Sequence, residues 1–160
     1  MKCIALAGFS ALRASGLVDD VIAALAIEGY TVSAIKRAPD DFDIDQPGKW
    51  SHLRREAGCG EVMLVGARRF ALLSEFGAAP VPPLAALLAH LAPVDVVLLE
   101  GFRDAAVPTI AVVADGERAT PGGPGEANVV ALVARQPIDS PLPTFAPDDA
   151  AGLAAFIAGL

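Results

Sequence analysis

The sequence predicts an α/β three-layer fold with a largely parallel sheet. Two observations carry this. Segments that read as strands alternate with segments that read as helices, and several strand segments are continuous apolar runs instead of alternating ones. Strands covered on both faces by helices have that character. Composition agrees: 54% of the 160 residues are hydrophobic and 19% charged, too apolar for a disordered chain. The length suits one domain, residues 1–160, able to bury a core without disulfides or a metal. Alanine supplies 32 residues, which suits closely packed layers.

The elements follow in order. Lys2 to Ala7 is a short apolar run ending at Gly8 and reads as a buried strand. Ser15 is placed to cap a helix whose Leu17, Val18, Val21, Ile22 and Leu25 recur at helical spacing, and Gly29 stops it. Tyr30 to Ile35 is a second strand. Lys36 to Lys49, acidic and carrying two prolines, is a loop. Trp50 to Gly58 is a short helix ended by Gly58. Val62 to Val65 and Phe70 to Ser74 are strands joined through a turn near Ala67 and Arg68. Leu84 to Leu91 is a helix, and Val94 to Leu99 and Thr109 to Ala114 are apolar strands. Asp115 to Asn128, with Gly122, Gly123, Pro124 and Gly125, is a loop, and Val129 to Ala134 is a strand. Pro147 opens a last helix through Ile157, with Asp148 and Asp149 in its first turn, where the helix dipole favours them. No repeat and no second domain is read.

The charge of −7 and pI near 4.7 argue against nucleic-acid binding, which needs a basic surface. A small anion in a local basic pocket stays open. No segment reaches the ~18 uncharged apolar residues of a membrane span; the richest stretch, Ala78 to Leu99, is broken by Pro80, Pro82, Pro83, His90, Pro93 and Asp95. The apolar run after Lys2 is too short for a secretory signal, so a cytoplasmic location is expected. Cys3 and Cys59 lie far apart with no CxxC, and two reduced, mostly buried thiols are the expectation.

Ligands of such folds sit at the carboxyl ends of the strands. Three turns matter there: Gly8 to Gly16 after the first strand; Lys36 and Arg37, leading into Asp41 to Lys49, after the second; and Glu100-Gly101-Phe102-Arg103 after the strand ending at Leu99. They are expected to bring carboxylates and cations together, with Lys36, Lys49, Asp43, Glu100 and Arg103 along one cleft. That combination suits an anion bridged by a divalent metal. Glu100 ends an apolar strand. Burying an unpaired carboxylate is costly, so it should face a cleft, a metal or an arginine.

Here a resemblance becomes specific. Ile35-Lys36, Asp41-Phe42-Asp43-Ile44-Asp45-Gln46-Pro47-Gly48-Lys49, Ser51, Arg55, Ala57-Gly58, Arg69-Phe70-Ala71-Leu72 and Val97-Leu98-Leu99-Glu100-Gly101-Phe102-Arg103 resemble the signature of the molybdopterin-guanine dinucleotide biosynthesis protein B family (MobB), in order and over essentially the whole chain. The resemblance implies a P-loop NTPase-like fold and a GTP-binding protein. It implies one that assists the enzyme attaching GMP to molybdopterin, or a molybdoenzyme, and that works as a homodimer. Together with the strand-end placement, it makes Gly8, Ser10, Arg13, Ser15, Lys36, Lys49 and Arg103 the candidate nucleotide-binding residues and Ser15, Asp43 and Glu100 the candidate Mg²⁺ ligands, with weak binding of GTP and Mg²⁺ expected.

The phosphate loop departs from the family pattern. Counting back from Gly29 without gaps puts Ser10 on the family serine, Ala11 and Arg13 on glycines, and Ala14 on the Walker lysine. Ser15 then falls on the hydroxyl residue for Mg²⁺ and Gly16 on the second threonine. Glycines let backbone N–H groups wrap phosphates, and the lysine neutralises charge between the β- and γ-phosphates. Ala11 and Arg13 carry Cβ atoms where close approach is usual, and Ala14 offers no charge. Three readings stay open. Arg13 stands in for the lysine; the helix N-terminus takes some other anion; or the phosphate site is lost and the fold serves a partner. The family histidines after the second-strand lysine are also missing, with Arg37, Pro39 and Asp40 in their place.

The expected function is therefore an adaptor in molybdenum cofactor maturation with a degenerate nucleotide site. The alternatives are a slow Mg²⁺-dependent GTPase using Arg13 in place of the lysine, and a binding module repurposed for another pathway. No Ser/His/Asp or Cys/His arrangement suggests a nucleophile, so no catalytic residue is assigned. His52 and His90 are isolated and read as surface or half-buried helix residues. Trp50, beside Lys49, either stacks a base or caps the following helix, and Arg68-Arg69 form a solvated turn or a partner-binding or pterin-phosphate patch.

Overall fold

A computed structural model describes residues 1–8, 16–102, 104–113 and 128–160. Its elements are β1 (Lys2–Ala7), α1 (Leu17–Ile27), β2 (Val32–Lys36), α2 (Trp50–Glu56), β3 (Glu61–Val65), β4 (Phe70–Ser74), α3 (Leu84–Leu88), β5 (Val96–Glu100), β6 (Thr109–Val113), β7 (Val129–Ala134), β8 (Thr144–Phe145) and α4 (Ala150–Gly159). The chain divides into two compact units, the first made of residues 1–38 and 89–160, the second of residues 39–88.

The first unit holds a six-stranded sheet in the order β2-β5-β1-β6-β7-β8, every pairing parallel. The apolar runs explain it. Val96, Val97, Leu98 and Leu99 of β5 are all buried although their side chains alternate between faces, so both faces of the sheet are covered at β5. One cover is made by α1 and α4. Leu17, Val21 and Leu25 recur every fourth residue on α1 and pack with Leu153, Ala154 and Ile157 of α4 over Ile4, Leu6, Leu98, Ile110 and Val133. Fully burying each of the larger aliphatic side chains is worth about 1.5–3 kcal/mol.

In the second unit, β3 and β4 form an antiparallel hairpin with Val65 opposite Phe70, and α2 packs against β3. Val62 is the buried apolar side chain among its described residues, and Ser51 is buried beside the polar loop.

Several expectations are corrected at the element ends. Gly16, in the left-handed region, holds the N-cap position of α1 without a side-chain cap; Ser15 lies outside the described residues. α3 stops at Leu88 instead of Leu91, short of Pro93, whose ring disfavours helix at the residue before it. α4 begins at Ala150, and Asp149 is its N-cap, its carboxylate accepting from the Gly152 N–H. The two-residue β8 lies in a segment read as neither strand nor helix. Ala114 and nearly all of the loop expected over Asp115 to Asn128 lie outside the described residues; Asn128 itself is in a turn. The thiols are free, but Cys59, just past the Gly58 turn, is exposed, and Cys3 is half-buried.

Candidate functional site

At the carboxyl ends of β2 and β5 the parallel register sets Lys36 beside Glu100. Nζ stands 3.0 Å from Oε2, so the carboxylate that ends the apolar strand is answered by lysine, not by an arginine. Arg37 follows. Its N–H donates to the Glu100 carbonyl, its guanidinium lies 4.8 Å from the ring centre of the buried Phe102, and it reaches Asp104 at 3.5 Å. The turn that allows this needs glycine at 101. There φ is +82°, and a Cβ would stand 3.1 Å from that of Arg37. Gly8, at the end of β1, is similar: φ is +76°, and a Cβ would meet the Val112 carbonyl oxygen at 3.0 Å. The backbone at the end of β1 thus runs in close contact with β6.

The loop residues Ser10, Arg13, Ala14 and Ser15, and Arg103 after β5, lie outside the described residues. Of the expected nucleotide residues in the first unit, Gly8 and Lys36 are described, with Lys36 paired to Glu100.

Asp43 and Lys49 belong to the second unit. Lys49 is exposed at the N-cap position of α2 with no side-chain cap. Asp43 joins a hub built on Arg55. Ser51 and Arg55 are four apart on α2, so they share a face, and both reach Asp45: Ser51 Oγ donates to Oδ1 at 2.8 Å and Arg55 Nη1 to Oδ2 at 3.1 Å. Arg55 also forks to Asp43 at 3.2–3.3 Å and donates through Nε to Glu75. The Asp45 N–H donates to Asp43 Oδ1, and the Gln46 N–H to Asp45 Oδ1. The Asp43 carboxyl titrates below its ordinary range, chiefly because of the Asp45 N–H bond. At Asp45 burial opposes ionisation, yet the bonds from Ser51, Gln46 and Arg55 outweigh it and lower the pKa. The Arg55 guanidinium is held still more firmly protonated, mainly by Glu75.

The hub was only partly legible in the sequence. Ser51 and Arg55 stood out by their resemblance, and their i,i+4 spacing opposite an Asp-x-Asp loop was the available signal. Glu75, twenty residues on, carried none. Trp50 is exposed and lies under the Arg54 guanidinium, 5.4 Å away. His52 is half-buried, and its Nδ1 has no hydrogen-bond partner. His90 is exposed, and Arg68 and Arg69 are exposed at the hairpin turn.

Residues 3–135 match the family described as Molybdopterin guanine dinucleotide synthesis protein B. The chain is 27% identical over 157 residues to the Molybdopterin-guanine dinucleotide biosynthesis adapter protein of Escherichia coli, covering 96% of this chain and 90% of that one. It is 29% identical over 113 residues to the protein of the same name in Haemophilus influenzae, covering 67% and 60%. In fold it is similar to the crystal structure of Bacillus subtilis MobB, with a TM-score of 0.73 at 19% identity over 100% of this chain and 98% of that one. A MobB homologue from Bacillus stearothermophilus gives 0.67 at 21% identity, covering 99% and 97%. The match over residues 3–135, most of the chain, establishes that the chain belongs to the Molybdopterin guanine dinucleotide synthesis protein B family.

Proposed function

We propose that this chain is an adaptor in molybdopterin-guanine dinucleotide biosynthesis. It acts in the cytoplasm beside the GMP-transferring enzyme or a molybdoenzyme, and is not itself a catalyst. The observation that carries the reading is its near full-length similarity to the Escherichia coli protein named as an adapter of that biosynthesis. The strand-end chemistry supports it. Lys36, a cation that could meet a phosphate, is already paired with Glu100, and Ala14 stands where the resemblance puts the Walker lysine. GTP and Mg²⁺ are therefore held weakly, since the lysine and the metal normally neutralise the phosphates together. Equilibrium dialysis with GTP and Mg²⁺ checks this part, and affinity equal to that of lysine-bearing relatives would end it.

The working form is a homodimer. On the hairpin, Met63, Val65 and Phe70 are exposed on one face, Val65 at 77% and Phe70 at 66%. Large exposed apolar patches usually mark interfaces, and a second copy is the proposed cover. The adaptor reading is tested by recovering the tagged chain from its own cells. The GMP-transferring enzyme or a molybdoenzyme is expected to come with it. Recovery of neither, in cells making the cofactor, would overturn the reading.

A further inference from the structure

We propose that Asp43 and Asp45 serve Arg55 and not a divalent cation, and that this hub is the positioning device holding the 46–49 turn at the start of α2. An ionised carboxylate has about four acceptor directions. Both oxygens of Asp43 are engaged: Oδ1 accepts the Asp45 N–H at 2.8 Å, and Arg55 spans Oδ1 and Oδ2 at 3.2–3.3 Å, with Nη2 on Oδ2 and one Nη1 hydrogen shared between the two oxygens because the other serves Asp45. At Asp45, Oδ1 receives the Gln46 N–H and Ser51 Oγ, and Oδ2 receives Arg55. A Mg²⁺ ion demands oxygens at about 2.0–2.1 Å in an octahedral set. Bound to Asp43, it would stand beside a guanidinium that cannot lose its proton. Arg55 cannot simply yield: its side chain is only 19% exposed, and Glu75 holds its Nε side. Among the described residues, no group of three or more His, Cys, Asp or Glu side chains is placed to hold a metal ion. The bonds already made at Asp43 therefore do not fit the divalent ion expected there.

The arrangement fits a positioning role instead. Arg55 gathers three segments of one unit: the loop through Asp43 and Asp45, its own helix, and Glu75 just after β4. The unit has little apolar core to do this, with Val62 its buried apolar side chain among the described residues. Ser51, 3% exposed, ties the first turn of α2 to the same Asp45. The intervening turn closes with the Lys49 N–H on the Gln46 carbonyl and Gly48 at φ +82°. The hub thereby sets where α2 begins and where Lys49 and Trp50 are presented.

The test uses the full chain and two readouts: Mn²⁺ binding followed by electron paramagnetic resonance, and amide exchange at Asp45 and Gln46 followed by NMR. Asp43→Asn is expected to change Mn²⁺ affinity by less than about tenfold. Losing even an outer-sphere partner of a real metal site costs about 10–100-fold, so a loss of tenfold or more overturns the proposal. Arg55→Gln is expected to speed exchange at both amides by about tenfold or more, an effect of ~1.4 kcal/mol, while β5 amides keep their protection. A smaller rise overturns the proposal as well. If Arg55→Gln does not fold, Arg55→Lys replaces it under the same threshold, because lysine keeps the charge but lacks the fork. Neither readout involves the adaptor's partner, so this proposal and the adaptor reading fail separately.

Discussion

Two glycines in the first unit separate backbone strain from steric contact. Gly8 and Gly29 both have positive φ, +76° and +89°, but a Cβ at Gly29 would meet nothing within 4 Å, whereas at Gly8 it would meet the Val112 carbonyl oxygen at 3.0 Å. An L-residue in the left-handed region costs about 1–2 kcal/mol. Gly29→Ala is expected to cost about that much and Gly8→Ala clearly more, measured by urea unfolding; equal losses would show that β6 gives way freely. A second residue-scale device joins the starts of β2 and β5. Thr31 donates to Asp95 Oδ2 through both N–H, at 2.8 Å, and Oγ1, at 2.6 Å, and the Asp95 N–H returns a bond to Oγ1 at 3.0 Å. The side-chain bond first, then the backbone bond, lowers the Asp95 pKa below its ordinary 3.8. A carboxyl whose folded pKa is depressed stabilises the fold above the ordinary value, and that contribution fades as pH falls through the folded one. Thr31→Val, which keeps the shape and removes the hydroxyl, should make the loss of stability below about pH 4 shallower. An unchanged acid limb would contradict this.

At the scale of elements, legibility followed burial. β5 and β7 were readable because four successive residues of each are buried, which leaves a continuous apolar run in the sequence. β8 was not, because two residues between Pro143 and Ala146-Pro147 are too few to show any period. The β3–β4 pairing was readable from two apolar runs flanking a short turn. That the hairpin falls in a compact unit of its own was not, since its residues are as apolar as those of the main sheet and only their exposure differs. The Lys36–Glu100 pair shows the same limit: each residue was singled out at a strand end, but the register that makes them partners appears in no local pattern. The hairpin also carries the dimer prediction. Its exposed pair Val65 and Phe70 are directly opposite, so one substitution alters the patch and leaves the core intact. Phe70→Glu is expected to turn a sedimenting dimer into a monomer of about half the mass while the circular dichroism stays native. A variant that remains dimeric would place the interface elsewhere.

The two units are held together internally by different physics, and this sets how the whole molecule should respond to damage. The first unit rests on an apolar cluster spanning four strands and two helices, in which Leu98, 1% exposed, sits among Ile4, Val21, Leu25 and Ile157. The second rests on one arginine and three carboxylates, with Val62 as its buried apolar side chain among the described residues. Deleting a buried leucine to alanine costs about 2–5 kcal/mol, from the transfer energy of the removed atoms and the cavity left behind. Leu98→Ala should therefore remove that much protection from the amides of β1 and β5, paired inner strands of the sheet. In an ion-pair hub the cost comes from stranding partners, because an arginine removed leaves several carboxylates facing one another without a cation. Arg55→Met, apolar and of similar length, should thus open the loop around Asp43 and Asp45 while the amides of β5 exchange as before. Amide exchange in the two variants side by side decides the matter. If Arg55→Met lowers protection in β5 as much as Leu98→Ala does, the hub is part of a single cooperative core, and the division of the chain into two units has no counterpart in its energetics.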